Sequence, residues 1–380
     1  MLFFILGSHP ELSVGEIKAV VGDKPVIAQT RQVFVLDEIE EPVDALQERL
    51  AGTIKIGQVI GELSKWNAQE AADLIGSFAC EAAGKNKIIF GISTYGLIQE
   101  TRTLGKMVKE YLKQTGRPVR FVTSKEPELS SVIVTENGLL ASGGEYVIVK
   151  LSDRFLIGQT QTIQDYHGWS NRDFGRPARD AKSGMLPPKL ARMMINLSGV
   201  APQGHSILDP FCGSGTVLAE AMLMGFDQLI GSDISAKAVE DTAKNITWLV
   251  AAEHRSAPSL FLYQSAIESL TASVKEPVDV IVTETFLGDP KSRIFTDREV
   301  TQASAQLGAL YQTSARAFAS LLKPEGRLVL AAPTFKTKSG FQPIGMDAHL
   351  IKGGFKVLKR FDYHRSDQYV GREILVARLA

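Results

Sequence analysis

The run Asp209-Pro210-Phe211-Cys212-Gly213-Ser214-Gly215-Thr216-Val217-Leu218 joins a carboxylate to two closely spaced glycines. Ile207 and Leu208 before it read as the end of a strand, and Leu218 to Met224 after it as a helix. Asp209 therefore stands at a strand's carboxyl end, where open α/β sheets bind ligands. Gly213 and Gly215 let backbone pass close to a bound molecule because no Cβ intervenes. A dinucleotide site uses G-x-G-x-x-G, whose third glycine packs helix on strand beside a pyrophosphate. Leu218 holds that third place here, which disfavours a pyrophosphate. A second strand, Gln228 to Ser232, runs into Asp233. An acid about 20 residues past the turn is placed to accept hydrogen bonds from ribose hydroxyls. Ribose without pyrophosphate points to S-adenosylmethionine; the competing reading is a strand–turn–helix that binds nothing.

The elements that must position these residues fall into two parts. Residues 1–160 mix strand-like and helix-like segments in an α+β pattern. Leu2 to Leu6 reads as a strand, and Ser13 with Glu16 carries a capping-box signature opening a helix through Val21. Thr53 to Leu63 reads as a long strand, Ala68 to Ala83 as a helix stopped by Gly84, and Glu100 to Gln114 as an amphipathic helix ended by Gly116. Residues 161–188 are polar, aromatic and rich in breakers, and read as an ordered linker. From 189 to 380 β/α signals alternate regularly, which predicts a mostly parallel, doubly wound, Rossmann-like sheet.

Composition narrows the class. The chain has 380 residues, long enough for two or three domains, and its 44% hydrophobic and 22% charged residues are ordinary for a soluble protein. Its 42 basic and 42 acidic residues cancel, so any nucleic-acid contact must come from a local patch. Cys80 and Cys212 stand far apart, which suggests reduced thiols, no structural zinc site and a cytoplasmic setting. The apolar start Met1 to Leu6 lacks a basic flank and stops at Gly7-Ser8, too short for a signal peptide or membrane span.

These residues support a family resemblance. The second part resembles class I methyltransferases, and D-P-F-C-G-S-G-T resembles the first motif of RNA guanine-N2 methyltransferases carrying a THUMP domain. Phe3-Phe4-Ile5-Leu6-Gly7 with Pro10-Glu11-Leu12-Ser13 is similar to the opening of the branch that methylates the tRNA guanosine at position 10. So are the linker runs Arg172-Asp173-Phe174-Gly175-Arg176-Pro177 and Gly184-Met185-Leu186-Pro187-Pro188-Lys189. The resemblance covers nearly the whole chain. It implies a C-terminal Rossmann-like methyltransferase domain, an N-terminal THUMP-containing RNA-binding module, tRNA as partner and, as in some relatives, a small activating subunit. It implies S-adenosylmethionine over Asp209, Phe211, Gly213 and Gly215, its ribose at Asp233, its adenine against Ile234 and beside Gln264-Ser265-Ala266. Many relatives have an acid where Ser265 stands; a hydroxyl accepts less strongly than an ionised group, so weaker cofactor binding is expected.

The larger departure is at the fourth strand, where the family pattern is D-P-P-Y or a near variant and this chain reads Thr283-Glu284-Thr285-Phe286-Leu287-Gly288. An exocyclic purine amine is a poor nucleophile, and it needs acceptors for its N–H groups so that its nitrogen can face the sulfonium methyl. The base must also leave its stack and find an aromatic face. Glu284 is the expected carboxylate, the Thr285 carbonyl the second acceptor and Phe286 the stacking face. Glutamate is one methylene longer than aspartate, and a misplacement of about 1 Å can cost roughly 100-fold in rate. A decayed loop on an RNA-binding scaffold, or a DNA amino-methyltransferase, are the alternatives.

RNA contact is expected at Arg102, Lys106, Lys109, Lys113, Arg117, Arg120 and Lys125, a run with the single acid Glu110 among them, and at Arg172 and Arg176. Lys106, Lys109 and Lys113 share a helix face, and a one-sided basic stripe on a neutral chain is a phosphate footprint. Tyr166, Trp169 and Phe174, with Arg172 and Arg176, read either as the target-base entrance or as a hydrophobic strap.

Overall fold

A computed structural model describes residues 1–37, 39–96, 101–179, 185–288, 292–365 and 367–380. The chain divides into two compact units, Met1–Tyr166 and His167–Ala380.

The first unit runs β1 (Leu2–Leu6), α1 (Pro10–Val21), β2 (Val26–Gln29), β3 (Val33–Leu36), α2 (Val43–Arg49), β4 (Thr53–Leu63), α3 (Ala68–Ala82), β5 (Ile88–Tyr95), α4 (Thr101–Lys113), β6 (Val119–Val122), α5 (Ser131–Glu136), α6 (Leu139–Ser142), β7 (Gly143–Lys150) and β8 (Phe155–Ile163). Its sheet has the order β2-β3-β1-β4-β8-β7-β5-β6 and is largely antiparallel, with β5 parallel to β6 and β7. β1 is apolar throughout because both faces are covered. Phe4 and Leu6 pack with Ile17 and Leu46 below α1 and α2, while Phe3 and Ile5 pack with Val147 and Leu156 on the other side.

One expectation changes here. Helix α1 begins at Pro10, a residue suited to the first helical turn, and so Ser13 and Glu16 lie inside it. They make no capping box: Ser13 Oγ donates to the His9 and Gly52 carbonyls, and the Glu16 carboxylate accepts from Ala51 and Gly52 N–H. Both are buried tethers to the turn before β4. Helix α4 starts at Thr101 among the described residues; Glu100, its expected first residue, and Gly184 of the linker run lie outside them.

The second unit runs α7 (Tyr166–Ser170), a π-helical turn (Asn171–Gly175), α8 (Pro188–Leu197), β9 (Ser206–Asp209), α9 (Thr216–Met224), β10 (Gln228–Asp233), α10 (Ala236–Ala252), β11 (Ser259–Gln264), α11 (Ile267–Ser273), β12 (Val278–Glu284), α12 (Asp297–Leu321), β13 (Leu322–Thr337), β14 (Gly340–Pro343), α13 (Met346–Lys352), β15 (Phe355–Tyr363) and β16 (Val370–Leu379). The sheet order is β11-β10-β9-β12-β13-β16-β15, with β14 beside β13. β9 pairs in parallel with both β10 and β12, so the order reverses between β9 and β12. The carboxyl ends at such a switch point are where open α/β sheets hold ligands. β16 is antiparallel to β13, and Arg372 lies opposite Pro333. The first residues of β16 therefore sit at that same carboxyl edge. One apolar cluster, including Leu208, Ile281, Phe318, Leu330 and Leu375, joins this sheet to its helices.

Candidate functional site

Asp209 ends β9, is 2% exposed, and accepts Thr283 Oγ1 at 2.7 Å and Phe211 N at 3.2 Å on one oxygen. Burial pushes its carboxyl up to about 7; those two hydrogen bonds oppose the shift, and the nearby charges of Asp233 and Glu284 add to it. The turn beyond is built on left-handed glycines, Gly213 at φ +53° and Gly215 at φ +85°. Cys212 N–H donates to the Ser232 carbonyl at 2.9 Å, and Gly215 N–H to the Cys212 carbonyl at 2.7 Å. A Cβ on Gly215 would meet Thr242 at 2.8 Å, whereas one on Gly213 would find no heavy atom within 4 Å. Gly213 thus faces open space at the sheet edge.

Asp233 does more than the sequence required. Its Oδ2 accepts Gly213 N–H at 3.1 Å and its Oδ1 accepts Ser235 N–H at 2.9 Å, so it ties the glycine turn to the start of α10. Each oxygen retains a lone pair for a hydroxyl donor. Ile234 beside it is 74% exposed, a bare apolar face for a ring. Ser265 N–H donates to the Asp233 carbonyl at 3.0 Å, and its hydroxyl is spent on the Ala266 carbonyl at 2.9 Å. The Ser265 hydroxyl, having donated there, keeps only its lone pairs to offer a ligand. Phe211 packs edge-on against Phe318, with ring centroids 6.5 Å apart, and roots the turn in the core.

A cofactor with a ribose, a base and a cationic centre fits these residues: the open space at Gly213, the carboxylate of Asp233 and the exposed Ile234 are all at one edge. Sequence reasoning missed the supports below. On α10, Thr242 Oγ1 donates to the Gly213 carbonyl at 2.8 Å and Asn245 Nδ2 to the Ser214 carbonyl at 2.8 Å. Their spacing of three on one helix face is the signal that could have found them.

Glu284 closes β12 opposite Ala331. Arg372 Nε donates to its Oε1 at 2.5 Å; the two side chains are 16% and 7% exposed. Burial raises the Glu284 carboxyl above the ordinary carboxylate range, and the Arg372 charge and hydrogen bond pull against that. Sequence reasoning gave no sign of Arg372. Thr285 is 1% exposed, with its N–H and hydroxyl both on the Ala331 carbonyl at 3.0 and 3.1 Å. That burial leaves the Thr285 carbonyl, the expected second acceptor, almost no open surface. Phe286 is 55% exposed, and its carbonyl accepts the buried Tyr311 hydroxyl at 2.8 Å, which anchors the loop while the ring stays free to stack.

Arg172 and Arg176 do not form the expected RNA-binding surface. Arg172 Nε is 2.9 Å from Glu220 Oε1, and Arg192 Nε 2.8 Å from Glu220 Oε2. Arg176 is 6% exposed and donates from Nη1 to Thr216 Oγ1 at 2.7 Å. Burial lowers its affinity for its proton, with Asp173 and Glu220 opposing and Arg179 assisting. Trp169 is buried beneath the guanidinium of Arg172, 4.1 Å from the ring centroid, so it follows the strap reading; Phe174 is 63% exposed under Arg179. One buried carboxylate on α9, Glu220, holds both Arg172 and Arg192.

In the first unit, Arg102, Lys106 and Lys113 on α4 and Lys125 beyond β6 are exposed, and Lys109 is half-buried. Lys113 pairs with Glu110 at 2.7 Å. Arg102 and Lys125 line a groove of about 330 Å³ with Thr101, Thr123 and Ser124. A buried network lies in the same unit: Lys55 Nζ is 2.5 Å from Glu145 Oε1 and from the Leu129 carbonyl, and Ser93 Oγ joins Glu145 Oε1 to Leu129 N–H. Arg117 is a correction to the stripe, because it caps the carboxyl end of α3, donating to the Cys80 carbonyl at 3.1 Å and to the Asn86 carbonyl. Arg120 donates to Asn137 Oδ1 at 2.7 Å and remains exposed.

The family model for the RMKL-like methyltransferase domain matches residues 176–341, and a DNA methylase model matches residues 26–245. The chain is similar to the tRNA (guanine(10)-N2)-dimethyltransferase of Methanothermobacter thermautotrophicus, 29% identical across 88% of this chain and 89% of that protein. The enzyme of the same name from Methanocaldococcus jannaschii is 27% identical across 65% of this chain and 70% of its own. Among solved structures, TrmN from Thermus thermophilus shares the fold with a TM-score of 0.56 at 16% identity over all of both chains. A possible methylase from Clostridium difficile 630 does so with a TM-score of 0.55 at 13% identity, over 100% of this chain and 98% of its own.

Proposed function

The chain belongs to the DNA-methylase family of methyltransferases, and from that premise we propose that it methylates the exocyclic N2 of a guanosine in tRNA. The nucleotide is position 10, the one for which its archaeal relatives are named. The observation that carries this reading is the pairing of two features across one switch point. A glycine turn with open space at Gly213 ends one strand, and a carboxylate beside an exposed aromatic ring, Glu284 and Phe286, ends the neighbouring one.

S-adenosylmethionine supplies a methyl group made electrophilic by its sulfonium sulfur. The chain's residues do the rest. Gly213 and Gly215 admit the cofactor to the strand edge, Asp233 accepts from its ribose, and Ile234 lies against its adenine with Ser265 and Ala266 at the rim. Asp209 holds the turn through Phe211 N–H and joins β9 to β12 through Thr283. Phe286 stacks on the extruded base. Glu284 accepts an N–H of the amine, which aims the nitrogen lone pair at the methyl carbon. The basic residues Arg102, Lys106, Lys109, Lys113, Arg120 and Lys125 grip phosphates and position the RNA without reading sequence. The first unit serves as a THUMP-type module, and a small activating subunit and a cytoplasmic setting belong to the same reading.

The test is incubation of the full chain with labelled cofactor and unmodified tRNA, followed by a nucleoside map for N2-methyl- and N2,N2-dimethylguanosine. Label in these nucleosides, lost in Glu284→Ala with cofactor binding retained, supports the proposal. Binding of tRNA without cofactor binding by calorimetry replaces it with an RNA-binding scaffold. The DNA methylase match favours one second reading, a DNA amino-methyltransferase; competition between tRNA and duplex DNA for transfer separates the two.

A further inference from the structure

We propose that Arg372 is a positioning residue for methyl transfer: it grips one oxygen of Glu284 and thereby turns the other toward the target amine. The inference rests on reading Glu284 as the amine's acceptor. Arg372 lies opposite Pro333 on β16, Glu284 opposite Ala331 on β12, and both partners belong to β13. The arginine therefore reaches across an intervening strand, which a short side chain could not do. Its Nε meets Oε1 at 2.5 Å, and Oε2 has no hydrogen-bond partner among the described residues. One oxygen is held and the other is available.

The arrangement answers the added methylene of a glutamate at this position. That extra rotatable bond costs orientation unless something fixes the carboxylate, and methyl transfer is sensitive to small misplacement. Charge works in the same direction. Glu284 faces Asp209 from β9, with Asp233 behind it on β10, and Tyr363 from β15, itself near Asp173 and Arg365. Arg372 is the cation in hydrogen-bond contact with this group. Its charge and hydrogen bond favour the ionised form against the burial that opposes it, and only the ionised form presents lone pairs alone to an N–H donor.

The experiment uses the full chain with Arg372→Gln and Arg372→Lys, measuring kcat, the KM for tRNA, cofactor affinity by calorimetry and the pH–rate profile. Arg372→Gln is expected to lower kcat by about 100-fold with tRNA KM and cofactor affinity nearly unchanged. Its acid limb moves to higher pH, because Glu284 loses the opposite charge that favours its ionised form. In a Glu284→Gln background the same change has no further effect, since the pair acts as one unit. If Arg372→Gln fails to fold, Arg372→Lys carries the test, because it replaces a planar donor by a rotatable point charge. Lowered kcat at unchanged cofactor affinity supports the proposal, and wild-type kcat overturns it. An active wild-type chain whose Arg372→Gln variant keeps its rate and acid limb overturns this inference alone. A wild-type chain that methylates no tRNA overturns both readings.

Discussion

Gly213 and Gly215 sit two residues apart in one turn, both left-handed, and the structure assigns them different burdens. Alanine at Gly213 costs the folded chain only the strained backbone of an L residue, about 1–2 kcal/mol, because its Cβ meets nothing within 4 Å. That same Cβ stands in the bed proposed for the cofactor. Forcing a methyl into a filled contact costs about 1–3 kcal/mol, which is roughly 5- to 150-fold in Kd. Alanine at Gly215 carries the same strain and in addition meets Thr242 Cγ2 at 2.8 Å and Oγ1 at 3.0 Å. Relieving that contact moves Thr242 off the Gly213 carbonyl, to which it donates at 2.8 Å, and leaving a buried group unpaired adds about 1–3 kcal/mol. Gly215→Ala is thus the less stable variant, by that margin, in urea unfolding. Gly213→Ala is the well-folded variant that binds S-adenosylmethionine poorly by calorimetry. Wild-type cofactor affinity in Gly213→Ala would refute the placement of the ligand over this turn, however stable the variant proved.

Asp209 makes stability depend on pH. Its carboxyl is raised to about 7 in the folded chain against an ordinary 3.8, so the folded state holds the proton more tightly than the unfolded one. The contribution is complete below the unfolded value and is lost as pH rises through the folded one, roughly 3 kcal/mol between about pH 5 and pH 8. Asp209→Asn should flatten that part of the stability curve, as read by urea midpoints at the two pH values; an unchanged slope contradicts the burial argument. Lys55→Met leaves Glu145 buried and uncompensated, and chemical denaturation should register a loss of about 3–5 kcal/mol. The joint change Lys106→Glu and Lys109→Glu should weaken tRNA binding and reduce its salt slope by about 1 for each phosphate no longer neutralised. Arg117→Ala, by contrast, should lower the unfolding midpoint and leave the salt slope alone, since that guanidinium caps α3.

The glycine turn, the strand that carries it and the acid at the end of β10 were legible in the chain because their chemistry is local. Spacing along one strand–turn–helix sets which residues share an edge, and no distant partner alters it. The fourth-strand loop was legible only through resemblance, since Thr283 to Gly288 has no periodicity of its own. What the chain could not disclose is who stands opposite. Arg372 reaches Glu284 because an antiparallel strand inserts into the sheet, a matter of topology separated by 88 positions of sequence. Thr242 and Asn245 read as ordinary helix residues until α10 lies beneath the turn. Arg172, Arg176 and Arg117 carried the signature of a surface, because arginine is usually exposed. Tertiary packing set Glu220, Thr216 and a helix end within their reach and gave them partners inside the protein. Sequence determined which groups lie at the strand ends; the folded sheet decided which charges face one another there, because electrostatic partnership depends on distance in space and not along the chain.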